Sequence, residues 1–480
     1  MRPGTHRANS RNLVAGGASA IACAGLVALL TGVAQNEALW RPIGVCSGIA
    51  ALALILALVR MGFGWLSAPV VYLAYLWLFH FPLALLSSLS DDTLQGLPVF
   101  IQAWMFDPSW YRAELIALTC AAAFTVGASL SPNSRVRRER PRRWSPDVPL
   151  ATIGWIEVLC GALMIAFSIV KGGGAQVFQT PYAELFDSVF AGPFTYGVLL
   201  FTFGIPITLA SVRRGSMWAL VGLQGVWACV MLLLGARTAA LFGPLLVAMV
   251  LTKRGVKIPR WIAIVSVTAV FWVIAAVGVA RQGPVSDNIT SAKGAGPLDA
   301  LLEMGGSLYT VRLFDTWILD GDRFQLGGGY WLPVERAIGI VIPGIRSDLH
   351  TDPRAASEVL SSRTHGLGGS AVAEAYYNFG FFAPFVFFLP LGWLLGRLDR
   401  SASPLAVAWL VVLLYPLLME VRGWFLSVPA IVALGATPLL LRSFSAWRHR
   451  LRSADARVRC ASMTSVHTLA VPLAPRGTEC

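Results

Sequence analysis

Twelve stretches of this chain are long and apolar enough to cross a bilayer, at about 13–33, 43–59, 65–89, 112–130, 149–170, 193–212, 216–234, 238–252, 261–281, 370–396, 403–419 and 424–441. About 20 such residues span the hydrocarbon core as a helix. With no water there to satisfy backbone groups, a helix keeps its hydrogen bonds internal. The expected fold class is therefore all-α, a polytopic helical membrane protein of about twelve transmembrane helices. Composition agrees: 56% of the residues are hydrophobic and 13% charged, where soluble domains are about 25% charged.

The net charge of +13 then reads as topology, not as a nucleic-acid signal, because cytoplasmic loops of membrane proteins are rich in Lys and Arg. With the N-terminus inside, the inner segments are the N-terminal arm, "RMGFG", "SPNSRVRRERPRRWSPD", "RRGS", "TKRGVKIPR", "GRLDRSAS" and "RSFSAWRHRLR", and every one is basic. The expected location is the inner (plasma) membrane, multi-pass, with both termini cytoplasmic. The expected organisation is nine spans over 1–281, an external loop domain over 282–369, three spans over 370–441 and a cytoplasmic tail over 442–480. The seventh and eighth spans, separated by "GARTA", are expected to form a tight hairpin. Within the long loop, "SLYTVRLFDTWILD" reads as a short amphipathic helix lying on the membrane surface. The remainder reads as irregular. The first apolar run lacks a cleavage site and reads as an uncleaved span. The seven cysteines, most of them in apolar runs, show no disulfide frame or metal spacing.

Residues that go against this topology carry the functional information. Arg237 sits at the hairpin tip "LLLGARTAALFGP", Arg281 at the outer end of the ninth span and Arg422 in "MEVRGWF" between the last two. The long loop adds Arg312, Arg323, Arg336, Arg346, Arg354 and Arg363. A guanidinium presents a planar fork of donors suited to phosphate oxygens, so several around one outer cavity would hold a lipid diphosphate. Snorkelling or plain solvation is the alternative for each.

The stretch "HGLGGSAVAEAYYNFGFFAPFVFFLPLGWLLGR" places Ser370, Glu374, Tyr376, Tyr377 and Asn378 where the tenth span enters the membrane. Spacings of four put Ser370, Glu374 and Asn378 on one stripe, with Tyr377 beside it. An aromatic belt with a capping Ser and an early acidic charge accounts for Tyr376 and for part of Glu374. It does not account for Asn378, which lies deeper. The "GLGGS" turn at the helix start favours anion binding, and His365 lies just upstream. Asp320 to Asp322 ("DGD") reads as a turn, "SDD" at Ser90 to Asp92 as a solvated loop start, and "VKGGGAQ" has the wrong order for a phosphate loop.

The run "LGGGYWLPVERAIGIVIPGIRSD", then the stretch from His365, then "VRGWF" resembles the oligosaccharide repeat unit polymerases, the O-antigen polymerase group. The resemblance covers about 230–430. Its most specific part is "S-x-x-x-E-A-Y-Y-N-F-G". Members usually carry Pro-Arg or Lys after the "IP" step, where this chain has "IPGIRSD". The resemblance implies a GT-C-type membrane glycosyltransferase. It would take a glycan from a polyprenyl-diphosphate-linked oligosaccharide donor and join it to a second lipid-linked acceptor, without nucleotide, metal or cofactor. Arg237, Arg281, Arg422 and Arg363 would then meet the diphosphate, Glu374 or His365 would act on the acceptor hydroxyl, and Tyr377, Asn378 and Ser370 would orient sugar hydroxyls. Membrane lipid, a flippase and a chain-length regulator are the implied partners, and nucleic acid is not. Two other readings stay open: a ligase passing finished glycan to another acceptor, and a twelve-span transporter or flippase of lipid-linked glycan. Transporters usually show paired half-repeats broken at the midplane, and no internal repeat is visible in this sequence.

Overall fold

The computed structural model describes residues 3–31, 39–89, 109–132, 147–178, 185, 189–190, 192–234, 236–259, 261, 272, 301–302, 304–342, 351–364, 367–401 and 403–444. Among them every regular element is helical: α1 (Pro3–Leu30), α2 (Trp40–Arg60), α3 (Ala68–His80), α4 (Pro82–Leu89), α5 (Ser109–Leu130), α6 (Val148–Lys171), α7 (Pro193–Leu209), α8 (Met217–Leu233), α9 (Arg237–Lys253), α10 (Ser307–Leu319), α11 (Gly328–Val341), α12 (Ala356–Arg363), α13 (Ala371–Phe379), α14 (Leu389–Asp399), α15 (Pro404–Val421) and α16 (Phe425–Phe444). Six are long and apolar enough to cross a membrane: α1 (over Asn12–Leu30), α2, α5, α6, α15 and α16. Two bent pairs bring the number to eight, while α7, α8 and α9 are shorter apolar helices. The ninth expected span, 261–281, falls almost wholly outside the described residues.

α5 is the central element, buried along almost its whole length. α14 lies against it with backbone touching backbone. Side chains added at Gly127 or Gly392 would run into the Leu389 and Phe124 carbonyl oxygens, the close approach that small residues allow between membrane helices. The outer surface has the opposite character. α6 exposes Trp155, Leu159, Leu163, Phe167 and Val170, one stripe at helical spacing. An exposed apolar stripe of that length fits a lipid-facing surface.

Side-chain pairs sort the connections into two ends. At one end Asp399 accepts from the Ala68 amide at 3.0 Å and pairs with Lys253 at 3.0 Å. Arg400 bonds the Ser131 carbonyl, Arg254 bonds that of Val212 at 2.8 Å, and Arg442 pairs with Asp147 at 3.1 Å. This is the end that collects the basic connectors. Because α16 continues to Phe444 and Arg442 is held by Asp147, the expected tail begins later than 442. The opposite end carries α10–α12 and the turn joining α15 to α16.

Three expectations change. The third and tenth apolar runs are broken helices, bent by 50° between α3 and α4 and by 110° at the break after Phe382. The second break has a local cause. Gly380 takes a positive φ of 57°, and a Cβ there would sit 2.8 Å from the Phe324 ring. Pro384 then opens a π-helical turn, Pro384–Phe388, and its ring cannot continue the preceding helix. Helix α10 forms where expected, but the face read as meeting the membrane surface is covered by protein. Its buried face packs on α5 and α13, with Phe314 and Asp315 fully enclosed. The rest of the long loop is not wholly irregular, since it also holds α11 and α12. The α8–α9 hairpin is as tight as expected, with both helices packed along each other.

Candidate functional site

The site grows from the start of α13. Ser370 caps the helix, its Oγ accepting from the Ala373 amide at 3.2 Å. His80, at the end of α3, is 2.8 Å from the same oxygen through Nε2, and its Nδ1 is 3.0 Å from the Leu76 carbonyl. A carbonyl only accepts, so Nδ1 carries the proton and Nε2 takes the Ser370 hydroxyl hydrogen. The cap is thereby tied to the kink between α3 and α4.

One turn on, Glu374 is 2% exposed, and its Oε2 accepts from the Phe425 amide at 2.7 Å. Phe425 is the first residue of α16, so a buried carboxylate satisfies a helix N-terminus. A further turn on, Asn378 donates to the Glu374 carbonyl at 2.9 Å and accepts from the Gly329 amide at 2.9 Å. Gly329 must be glycine because a Cβ would lie 2.8 Å from the Asn378 amide nitrogen. Tyr377 donates to the Pro353 carbonyl at 3.0 Å and accepts from Gln325 at 3.1 Å. The stripe Ser370–Glu374–Asn378 thus faces protein throughout. Tyr376 is not a belt residue: it is buried, and its hydroxyl donates to Asp315 at 2.9 Å. Asp315 also takes a two-pronged bond from Arg112 at 2.8 and 3.2 Å, which fastens α10 to the end of α5.

Three sequence segments far apart in the chain meet here. "GLGGS" lies against "VRGWF": Gly369 touches the Gly423 backbone, and Arg422 lies over Gly368, where a Cβ would stand 3.7 Å from its Nε. "LGGGYW" closes the other side through Gly329 and through Tyr330, whose ring stacks on Phe379 and Phe387 and meets Phe425 edge-on at 4.6 Å. The Thr310 hydroxyl of α10 bonds the Gly368 carbonyl at 2.8 Å.

The arginines fall into different settings. Arg422 is exposed, with its guanidinium 5.6 Å from the Phe79 ring centre. Arg237 opens α9, antiparallel to α3. Phe242 on α9 meets Tyr75 on α3 at 5.3 Å. Five residues back along α9 and four forward along α3, at 1.5 Å each, bring the Arg237 backbone to the level of Phe79. Arg363 is held by Asp322 at 2.6 Å and stacks on Trp317, so the "DGD" turn has a structural partner. Arg354 is clamped between Glu335 and Asp352, both at 2.7 Å, and these carboxylates push its own pKa upward. Arg312 donates to Ser109 at 2.6 Å. Arg281, Arg346 and His365 lie outside the described residues.

Sequence reading missed Glu420. It is 1% exposed in the last turn of α15, and neither carboxylate oxygen has a hydrogen-bond partner among the described residues. The Tyr330 and Tyr72 hydroxyls are likewise sealed and without a partner among the described residues. Burial first, then the Glu420 and Glu374 carboxylates, push the Tyr330 hydroxyl well above the usual phenol value. The available signal was a carboxylate inside the apolar run "YPLLMEVRG", the same signal that singles out Glu374.

The sequence profile of the family described as O-antigen polysaccharide polymerase Wzy matches residues 49–440. This chain belongs to that family. Among curated proteins the chain is similar to Protein CapE of Staphylococcus aureus, 24% identical over 346 residues, which cover 70% of this chain and 74% of the relative. No solved structure matches. A Wzy-family chain is a multi-pass membrane enzyme of the glycosyltransferase type that polymerises lipid-linked oligosaccharide repeat units into polysaccharide. The matched region includes every segment of the site built above.

Proposed function

We propose that this polymerase takes both substrates as polyprenyl-diphosphate-linked repeat units at the membrane face where α13 begins. Arg422 and Arg237 hold the donor diphosphate, and Glu374 acts on the acceptor hydroxyl. The observation that carries this reading is the Phe425 amide bond to Glu374. It joins a buried carboxylate to the turn that presents Arg422, so a base and a phosphate-binding cation sit on one support.

The chemistry follows from that arrangement. An acceptor hydroxyl oxygen attacks the anomeric carbon of the donor. The carbon–oxygen bond to phosphate breaks, and its electron pair leaves on the diphosphate. Negative charge grows on the leaving group, and guanidinium groups fixed there beforehand stabilise it. The N-terminus of α13 adds partial positive charge. The acceptor proton passes to Glu374, whose Oε1 takes no hydrogen bond among the described residues. Tyr377 and Asn378 are committed to the protein framework and position Glu374. Arg363 completes the outer wall through Asp322. The positive-inside pattern puts this face outside the cytoplasm of an inner-membrane protein with cytoplasmic termini, where a flippase would deliver the substrates and a chain-length regulator would act.

The test is polymerisation of purified lipid-linked repeat units by the reconstituted protein. Glu374→Gln keeps shape and removes the charge. It should cost about 10²–10⁴-fold in rate, the usual range for loss of a general base. Full activity in that variant removes Glu374 from the chemistry. Strong inhibition by a chelator would point to a metal and to the acidic pairs.

A further inference from the structure

Helix α11 has two apolar faces, and only one of them is covered. On the covered face Tyr330 stacks on Phe387 at 5.0 Å and meets Phe425 edge-on at 4.6 Å, and Leu332 is fully buried. The other face carries Trp331, Ile338 and, just past the helix end, Ile342, all exposed. Spacings of seven and four put these three on one stripe. The turn before the helix adds Leu326, 85% exposed at a φ of 48°, followed by Gly327 at 86°. Left-handed backbone is costly for a bulky residue and persists only where the surroundings impose it. Here they do. The Gln325 amide donates to the Tyr377 carbonyl at 3.0 Å, the Gly329 amide donates to Asn378 at 2.9 Å, and a Cβ on Gly327 would stand 3.1 Å from the Phe379 ring. The turn is bolted to α13 on both sides of a leucine that is held outward.

The same contacts fix the level of the helix. Phe387 lies in the first turn of the crossing segment Pro384–Asp399, and Phe425 opens α16. Both mark where spans begin at this end, so Tyr330, and Trp331 beside it, sit at the membrane boundary. Phe382 and Phe385, on either side of the 110° break, are exposed as well, so the uncovered apolar surface continues from α11 onto the crossing segment.

We propose that α11 lies in the membrane interface, with Leu326, Trp331, Ile338 and Ile342 seated among the headgroups and upper acyl chains of the leaflet at this end. An indole, apolar in body with one polar N–H, suits that depth. Leucine and isoleucine on the same helix supply the apolar contact that holds an in-plane helix to lipid. Sequence reading gave this position to α10, whose corresponding face is covered by protein. A stripe one side chain wide is small beside the surface a stable protein partner buries, about 800 Å² a side, which favours lipid over a second copy of the chain. Because the turn is bonded to Tyr377 and Asn378, the leaflet sets the height at which α13 is held. The proposal does not depend on the role of Glu374.

The experiment places a nitroxide spin label on single cysteines, Leu326→Cys, Trp331→Cys and Ile338→Cys, in full-length protein freed of its native cysteines. The protein is reconstituted in vesicles of phosphatidylethanolamine and phosphatidylglycerol. All three positions are exposed, so a label there displaces no packed side chain. Power saturation compares collision with oxygen, which concentrates in lipid, against collision with a water-soluble nickel chelate. Leu163→Cys on the exposed stripe of α6 is the lipid reference, and Ser361→Cys on α12 is the water reference. The ratio of oxygen to nickel accessibility at 326, 331 and 338 should rise well above that at 361 and approach that at 163. Nickel accessibility equal to that at 361 means the stripe faces water and overturns the proposal. Low accessibility to both reagents means that protein, such as a second copy, covers the stripe, and overturns it as well.

Discussion

Gly369 and Gly423 are in backbone contact, and a Cβ on Gly369 would overlap the Gly423 carbonyl oxygen. Their neighbours make a built-in control, because a Cβ on Gly368 would meet Arg422 at an ordinary 3.7 Å. Gly369→Ala should therefore separate the "GLGGS" and "VRGWF" segments and abolish polymerisation. Gly368→Ala should stay within a few-fold of wild type. Reconstituted activity normalised to inserted protein checks this, and equal activity of the two variants would contradict the contact.

Arg422→Ala and Arg237→Ala should each abolish chain extension while leaving insertion intact, because both positions reach the same level of the molecule. Lys at either position should recover only part of the activity, since an ammonium lacks the planar fork. Product-length analysis on gels distinguishes these outcomes from simple solvation, for which both Ala variants would polymerise normally.

Asp315→Asn should be the most destabilising change at this end. Arg112 is 12% exposed and Asp315 fully buried. Breaking such a pair by removing one partner costs about 3–5 kcal/mol. Tyr376→Phe removes one hydrogen bond to the same carboxylate and should cost about 1 kcal/mol. Thermal unfolding in detergent should rank Asp315→Asn below Tyr376→Phe, and both below wild type.

The clamp on Arg354 predicts an acid-sensitive loop. The Arg354 bond holds the Glu335 carboxyl below its ordinary value. A depressed carboxylate pKa contributes stability that is present above the unfolded value and is lost as pH falls through the folded one. Limited proteolysis between α11 and α12 should therefore be unchanged from neutral pH down to the ordinary glutamate range, about 4.3, and should rise below it. Glu335→Gln should be cleaved more readily at neutral pH and lose most of that pH dependence.

Orientation is checked by single cysteines in a background with the native ones removed. Ser361→Cys, at an exposed position on α12, should label with an impermeant maleimide from outside intact cells. Arg140→Cys, in the most basic loop, should label only after permeabilisation. External labelling at 140 would place the whole site on the wrong face.

The helix content and the Glu374 stripe were legible because each rests on local periodicity. A carboxylate and an amide at i and i+4 share a face whatever surrounds them, and that face does look into protein. The breaks were not legible. Residues on either side of Gly380 are equally apolar, and what forces the turn is the Phe324 ring, 56 residues earlier in the chain, pressed on the Gly380 backbone. Tyr376 shows the same limit, since an aromatic residue near a span end has one composition whether it meets lipid or Asp315. Arg363 was read as free for the diphosphate, because nothing local announces that Asp322 comes back to it. Glu420 is a different case: the signal was present, but its place beside Arg422 drew the eye to the arginine and to the turn.

The 110° break has a consequence for the bilayer itself. With α13 turned aside, the remaining crossing segment is Pro384–Asp399, about 24 Å at 1.5 Å per residue. α7, α8 and α9 have 17 residues each, about 25 Å. Against a hydrocarbon layer of about 30 Å, thinning of the surrounding lipid is one way helices this short are accommodated. In the reaction proposed above, such thinning would let a lipid-linked diphosphate sink toward Arg422 while its lipid tail stays in oil. On that proposal the headgroup would meet Glu374 without the protein having to lift the carrier out of the membrane.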